Sequence, residues 1–159
     1  MLENKKILII ITGSVASYKA LYLIRLLRKK NCEVNCIMTS SAKQFITPLS
    51  VSSLTGNKVY DELFSLTDEI EMGHISLAKI HDAIVVAPAS ANFISKVSNG
   101  LANDLASTTI LATNSPVFYF PAMNVNMWNN PIIQRNVNTI ETFGQFVIPG
   151  KKGELACGD

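Results

Sequence analysis

The hydrophobic pattern along the chain switches repeatedly between two periods. Residues 7 to 11 form an unbroken, mostly β-branched run closed by Thr12 and Gly13, so residues 5–12 read as a strand buried on both faces. Over residues 14–30 the apolar positions become Ala16, Ala20, Leu23, Ile24 and Leu27, which is helical spacing, and the segment ends on basic residues and Asn31. A second strand is expected over 33–39. A short helix follows over 42–45, broken at Pro48, with helix again over 51–54 up to Gly56. Residues 58–72 are the least regular: Val59-Tyr60 makes a short strand, and Asp61, Glu62, Asp68, Glu69 and Glu71 make an acidic surface loop. Beyond it the pattern predicts a helix over 75–80, a buried strand over 82–87 ending at Pro88, and helices over 91–97 and 102–112 around a turn at Asn99-Gly100. A strand over 117–120 ends at Pro121. A helix over 131–143 has Pro131 in its first turn and Gly144 at its end, and a last strand spans 146–148.

Strand and helix alternate throughout, with no repeat and no low-complexity linker. That order implies an α/β fold: a single Rossmann-like (flavodoxin-like) three-layer domain over residues 1–159, its sheet mostly parallel with helices on both faces. The 159 residues are enough to bury one sizeable core. They are 48% hydrophobic and only 16% charged, with a mean hydropathy of +0.24. No apolar run approaches the roughly 18 residues of a membrane span, so the excess points to a subunit interface instead.

Charge and cysteine content narrow the function classes. The net charge is +2, and the basic runs Arg28-Lys29-Lys30 and Lys151-Lys152 read as solvated ends of elements, which argues against a nucleic-acid partner. The first residues lack the pattern of a secretory signal, and three cysteines without an export signal fit a reduced, cytoplasmic setting; neither a disulfide framework nor a metal site is expected. Cys32 and Cys36 read as small buried hydrophobes.

In a sheet of this kind ligands sit beyond the carboxyl ends of the strands. Four segments occupy those places. In the first, Gly13 permits a tight turn and Ser14 can cap the following helix, whose free amides suit an anion. With one glycine this is neither a Gly-x-Gly-x-x-Gly fingerprint nor a Walker loop, which weighs against NAD and ATP while permitting a mononucleotide phosphate; an ordinary capped turn reads equally well. The second, Thr39-Ser40-Ser41, offers three hydroxyls where a cap needs one. In the third, Pro88-Ala89-Ser90-Ala91-Asn92, a hydroxyl and an amide stand among small residues, as the approach of a flat ring requires. The fourth, residues 121–128, packs two Met, two Asn and one Trp after a strand: amides for a carboxylate or a ring edge, and apolar walls beside them.

The motif Pro-Ala-Met-Asn-x-x-Met-Trp, with Gly73-His74-Ile75-Ser76-Leu77-Ala78 and the terminal Leu155-Ala156-Cys157-Gly158-Asp159, resembles the homo-oligomeric flavin-containing cysteine decarboxylases, and the likeness spans essentially the whole chain. The resemblance implies FMN bound between subunits of a homo-oligomer, a trimer or a dodecamer of trimers. It places Gly13, Ser14 and Val15 in the first flavin loop, Thr39, Ser40 and Ser41 in the second, Ser90, Ala91, Asn92 and Phe93 in the third, and Ala122 against the ring. It further implies His74 as the active-site histidine and Asn124 as the holder of the substrate carboxylate, with Met127 and Ala156 beside the substrate. Cys157 is implied as the proton donor of a flap beginning at residues 150–159.

The branch most similar in these motifs decarboxylates 4'-phosphopantothenoyl-L-cysteine to 4'-phosphopantetheine in coenzyme A biosynthesis. Oxidising the thiol to a thioaldehyde lets the electrons left by carbon dioxide flow onto sulfur, and returning the hydride to the ene-thiolate closes a redox-neutral cycle. In bifunctional relatives the Ala-Cys-Gly-Asp motif leads into a phosphopantothenate–cysteine ligase, so a fused or separate ligase partner is expected. Peptidyl-cysteine oxidative decarboxylases share the fold, FMN and the His and Asn motifs, but stopping at an ene-thiol does not need Cys157. Flavin prenyltransferases lack the Pro-Ala-Met-Asn segment. Non-catalytic flavoprotein-like regulatory subunits tend to carry long polar extensions.

Overall fold

The computed structural model describes residues 1–67 and 73–150. Asp68, Glu69 and Glu71 of the acidic segment, and Ala156 and Cys157 of the expected flap, lie outside the described residues.

Six strands form one sheet: β1 (Lys6–Ile11), β2 (Glu33–Met38), β3 (Val59–Tyr60), β4 (Ala83–Ala89), β5 (Val117–Pro121) and β6 (Phe146–Val147). Their order is β3-β2-β1-β4-β5-β6, and every pairing is parallel. The helices are α1 (Tyr18–Lys29), α2 (Pro48–Thr55), α3 (His74–Lys79), α4 (Ala91–Ser98), α5 (Leu105–Ala112), α6 (Val125–Asn129) and α7 (Pro131–Thr142), with 3-10 turns at Val15–Ser17 and Ala42–Gln44.

Two cores follow from the pleat, which sends successive side chains to opposite faces. Ile7, Ile9 and Ile11 of β1 join Val34, Cys36 and Met38 of β2 beneath Ala20 and Ile24 of α1 and Val51 of α2. Leu8 and Ile10 point the other way, with Ile84, Val86, Val117 and Tyr119, against Leu77, Phe93, Ile94, Leu105, Ile133 and Val137. The expected three-layer α/β fold is therefore present. Cys32 and Cys36 are both buried in the first core, although Cys32 precedes β2; burial pushes the Cys36 thiol up to about 12, so it stays protonated and inert.

Several element ends shift from the sequence pattern, α1 starting at Tyr18 rather than 14 and α2 at Pro48 rather than 51, and three further departures have a local cause. β4 does not end before Pro88 but runs through it to Ala89, because the ladder shifts register between Val86 and Ala89 and a residue without an N–H is tolerated at such an irregularity. α5 begins at Leu105 rather than 102, since Asp104 caps it: its carboxylate accepts the Ser107 N–H at 2.7 Å. The fourth carboxyl-end segment contains a short helix, α6, where no element was expected; Asn124 starts it by accepting the Asn126 N–H on Oδ1 at 2.8 Å.

Candidate functional site

The chain runs outward from β1 to β2 and β3, then returns to β4 on the other side of β1. The sheet therefore reverses direction between β1 and β4, and a crevice opens beyond their carboxyl ends. Thr12 holds that crevice together. It is 1% exposed; its hydroxyl donates to the Pro88 carbonyl at 2.5 Å and accepts the Ser90 N–H at 3.0 Å, while its own carbonyl takes the Ser17 hydroxyl at 2.9 Å. One side chain thus ties the first loop to the third.

The second loop is held against the first by the absence of a side chain. A Cβ on Gly13 would lie 2.5 Å from the Cβ of Ser41 and 3.0 Å from its carbonyl carbon. Glycine is required here for close approach rather than for an unusual backbone angle.

The resulting cavity, about 440 Å³, lies in the range of small-molecule sites. Thr12, Gly13 and Ser14 line it after β1, and Thr39, Ser40 and Ser41 after β2. Ser90, Ala91, Asn92, Phe93 and Lys96 line it after β4. Asp104 at the head of α5, with Ala122, Met123 and Met127 after β5, completes it.

Three of the hydroxyls lining this cavity are turned into donors by the turns and helices they cap. Ser14 Oγ accepts the Ala16 N–H at 3.1 Å, Thr39 Oγ1 the Ala42 N–H at 3.2 Å and Ser90 Oγ the Phe93 N–H at 3.2 Å. With an acceptor lone pair of each committed inward, the O–H is left to donate outward, and the start of α4 adds its positive dipole end. A cavity lined this way takes a ligand rich in acceptors, above all a phosphate. The opposite wall is apolar: Phe93, Ala122, Met123 and Met127 suit a flat ring. Lys96 and Asp104 form an ion pair between the two helices they stand on. Burial pushes the Asp104 carboxyl up, but hydrogen bonds from Lys96 and Ser107 outweigh it and hold the group below the usual carboxylate range.

Of the residues expected at the flavin, Gly13, Ser14, Thr39, Ser40, Ser41, Ser90, Ala91, Asn92, Phe93 and Ala122 all line this cavity, as does Met127. Val15 stands outside it, 57% exposed on the first loop. His74 is half-buried at the first position of α3, behind Gly73, and does not line the cavity; neither does Asn124, which follows the lining residue Met123. Lys96 and Asp104 were not singled out by the sequence, Thr12 was read only as the end of a strand, and Met123 only as one of the apolar walls of its segment. The signal for the charged pair was present: a lysine and an aspartate flanking the Asn99-Gly100 turn between two apolar helices.

Residues 1–159 match the model of the Flavoprotein family. The chain belongs to the Flavoprotein family. It is 48% identical over 158 residues to the coenzyme A biosynthesis bifunctional protein CoaBC of Haemophilus influenzae, covering 99% of this chain and 40% of that protein. The chain thus spans about two fifths of that relative. Among solved structures it superposes on the FMN-dependent cysteine decarboxylase SpaF with a TM-score of 0.87 at 28% identity, covering 96% of this chain and 88% of that one. On a PPC decarboxylase variant complexed with pantothenoylaminoethenethiol the TM-score is 0.82 at 32% identity, covering 99% and 88%. The donor-lined cavity of this Flavoprotein-family member lies at the sheet reversal.

Proposed function

We propose that this chain binds FMN and decarboxylates 4'-phosphopantothenoyl-L-cysteine to 4'-phosphopantetheine in coenzyme A biosynthesis. The observation that carries the reading is the cavity beyond β1 and β4, hydroxyl donors at one end and Phe93, Ala122, Met123 and Met127 at the other, in a chain 48% identical to a CoaBC protein.

Ser14, Thr39, Ser40, Ser41 and Ser90 hold the phosphate and polar edges of the cofactor, and Ala122 and the two methionines wall the ring. Bound FMN supplies a two-electron acceptor for the substrate thiol, which gives the electrons left by carbon dioxide a route onto sulfur. His74 receives the thiol proton or electrostatically supports the thiolate, a role suited to an imidazole. Asn124 orients the substrate carboxylate with Met127 and Ala156 beside it, and an amide does so without anchoring the group as firmly as a cation would. Cys157, a thiol still mostly protonated at pH 7, returns the proton in the reductive half.

His74 and Asn124 stand outside the cavity of one protomer, and this favours a site completed between copies. We therefore infer a homo-oligomer, a trimer or a dodecamer built from trimers, with a phosphopantothenate–cysteine ligase fused or separate. Among the described residues no helix is long and apolar enough to cross a membrane, and a cytoplasmic enzyme is the reading we adopt.

Purified protein supplied with FMN and 4'-phosphopantothenoyl-L-cysteine tests this. Mass spectrometry is expected to find a product lacking one carbon dioxide and carrying no double bond. A product that keeps the double bond would move the chain to the oxidative branch of the family. No product with a fully FMN-loaded protein would overturn the decarboxylase reading, and failure to take up FMN would overturn the cofactor reading as well.

A further inference from the structure

Of the described residues that line the cavity, Lys96 and Asp104 alone are ionisable. Their ion pair joins Nζ to Oδ2, and only 15% of the Lys96 side chain is exposed. Asp104 is fixed from its other side, where Oδ1 accepts the Ser107 N–H at 2.7 Å and the Ser107 hydroxyl at 2.6 Å. An ammonium has three donors, so with one directed to Asp104 the lysine still has two for the cavity wall.

The position of the pair along the sheet edge decides what it meets. Thr39, Ser40, Ser41 and Ser14 follow β2 and β1, Ser90 and Asn92 stand at the start of α4 after β4, and Ala122, Met123 and Met127 follow β5. Because the strands stand in the order β2-β1-β4-β5, the cavity has a hydroxyl end and an apolar end. Lys96 stands in the second half of α4, beyond the start that Ser90 caps, and Asp104 heads α5, so both lie between β4 and β5 in the chain, toward the apolar end.

We infer that Lys96 faces the ring rather than the phosphate of the bound flavin, and that the Lys96–Asp104 pair sets the balance between its oxidised and reduced forms. The inference rests on the FMN reading above. Adding two electrons and one proton to a flavin leaves a net negative charge on the ring. A cation on the wall stabilises that charge, and the partner carboxylate offsets part of the effect. Since no other ionisable side chain lines the described wall, the two substitutions should act in opposite directions. Asn retains the capping ability of Asp while removing its charge, so the helix start survives the change.

The test is a reductive titration of the FMN-loaded protein against a reference dye, the added reductant supplying the electrons. Lys96→Met is expected to lower the affinity for reduced relative to oxidised FMN about tenfold, which is ~30 mV more negative for a two-electron couple. Asp104→Asn is expected to move the potential the other way, and Lys96→Arg to leave it near wild type. Riboflavin, which lacks the phosphate, should lose affinity for Lys96→Met by the same factor as FMN. If FMN binding weakens but riboflavin binding does not, with the potential unmoved, the lysine serves the phosphate and the inference is wrong. Unmoved potentials in both variants overturn it equally. Should Lys96→Met fail to fold, Asp104→Asn decides alone. A wild-type protein that binds neither flavin defeats the cofactor reading first, before any variant is compared.

Discussion

Gly13 and Ser41 touch across the mouth of the cavity, and they can do so only because position 13 has no side chain: a Cβ there would stand 2.5 Å from that of Ser41 and 3.2 Å from its carbonyl oxygen. Two of the three nearest atoms are backbone, so the second loop itself must move to admit a methyl group. Gly13→Ala is expected to cost about 1–3 kcal/mol by overpacking. It should also weaken FMN binding at least tenfold, about 1.4 kcal/mol, by displacing Thr39, Ser40 and Ser41. Thermal unfolding and a flavin-fluorescence titration measure the two effects, and an unchanged dissociation constant would mean that the second loop does not hold the cofactor.

Thr12 spans the reversal in the sheet with two hydrogen bonds from one buried oxygen, to the Pro88 carbonyl and from the Ser90 N–H. Thr12→Val keeps the shape and removes both, depriving the Ser90 amide of this acceptor and leaving the Pro88 carbonyl only the longer bond from the residue 12 N–H, 3.4 Å in the wild type. A loss of about 1–3 kcal/mol is expected, read as a lower denaturation midpoint, while Thr12→Ser should recover most of it. A valine variant as stable as wild type would show that the strand ladder alone aligns the loops.

The apolar runs made β1, β2 and β4 legible, because a strand largely buried on both faces has few other readings, and the alternation with helices made the parallel sheet legible, though not its strand order. The four cavity-lining segments were legible for a second reason: the rule that ligands lie beyond carboxyl ends turned a strand list into a list of candidate site segments. What escaped were features that depend on distance across the fold. Thr12 looked like the last residue of a strand, and nothing in its neighbours marks a contact with Pro88. Lys96 and Asp104 are eight positions apart on two helices, so their pairing required the angle between α4 and α5. The helix at Val125–Asn129 escaped for a local reason: its start depends on a single Asn124 cap within a five-residue element.

His81 is buried, 3% exposed, and its two ring nitrogens have distinct partners. The Asn35 amide nitrogen, which can only donate, lies 3.0 Å from Nε2, so Nε2 accepts and Nδ1–H donates to the Leu77 carbonyl at 2.8 Å. Burial drives the pKa down, against smaller opposing effects that include the Leu77 carbonyl and the Glu33 carboxylate. The folded protein therefore binds the proton less readily than the unfolded chain. Stability is full above about pH 6.5 and falls as pH drops through that value, by no more than about 1.4 kcal/mol per pH unit for one proton. Urea midpoints at pH 7.5 and 5.5 should differ in the wild type and differ less in His81→Gln. An equal slope in both proteins would remove His81 as the source.

His74 and Asn124 do not line the cavity proposed for the flavin, so that proposal separates cofactor binding from turnover. His74→Asn is expected to keep the yellow colour and FMN affinity while losing at least ~100-fold in decarboxylation, the usual contribution of a general acid or base. Asn124→Asp keeps the side-chain oxygen that starts α6 and adds a charge that repels a carboxylate, so it should fold, bind FMN and fail on substrate. Product mass and flavin absorbance, taken on the same samples, check both variants. Full activity in either would remove that residue from the reaction.

A second copy has an apolar strip to seat on. Tyr18, Tyr22 and Leu26 recur every four residues on α1, 60%, 66% and 45% exposed, and Val15 at 57% carries the strip back to the first cavity loop. Residues at that spacing share one helix face, and burying such a face drives association. Tyr22→Asp places a charge in the middle of the strip without touching the cavity lining. Light scattering on the eluting protein should find the wild type assembled and the variant reduced to monomers. FMN affinity should fall with the assembly, because a site completed by a neighbour is lost when the neighbour leaves. A wild type that elutes as a monomer yet binds FMN tightly would confine the whole cofactor site to one chain.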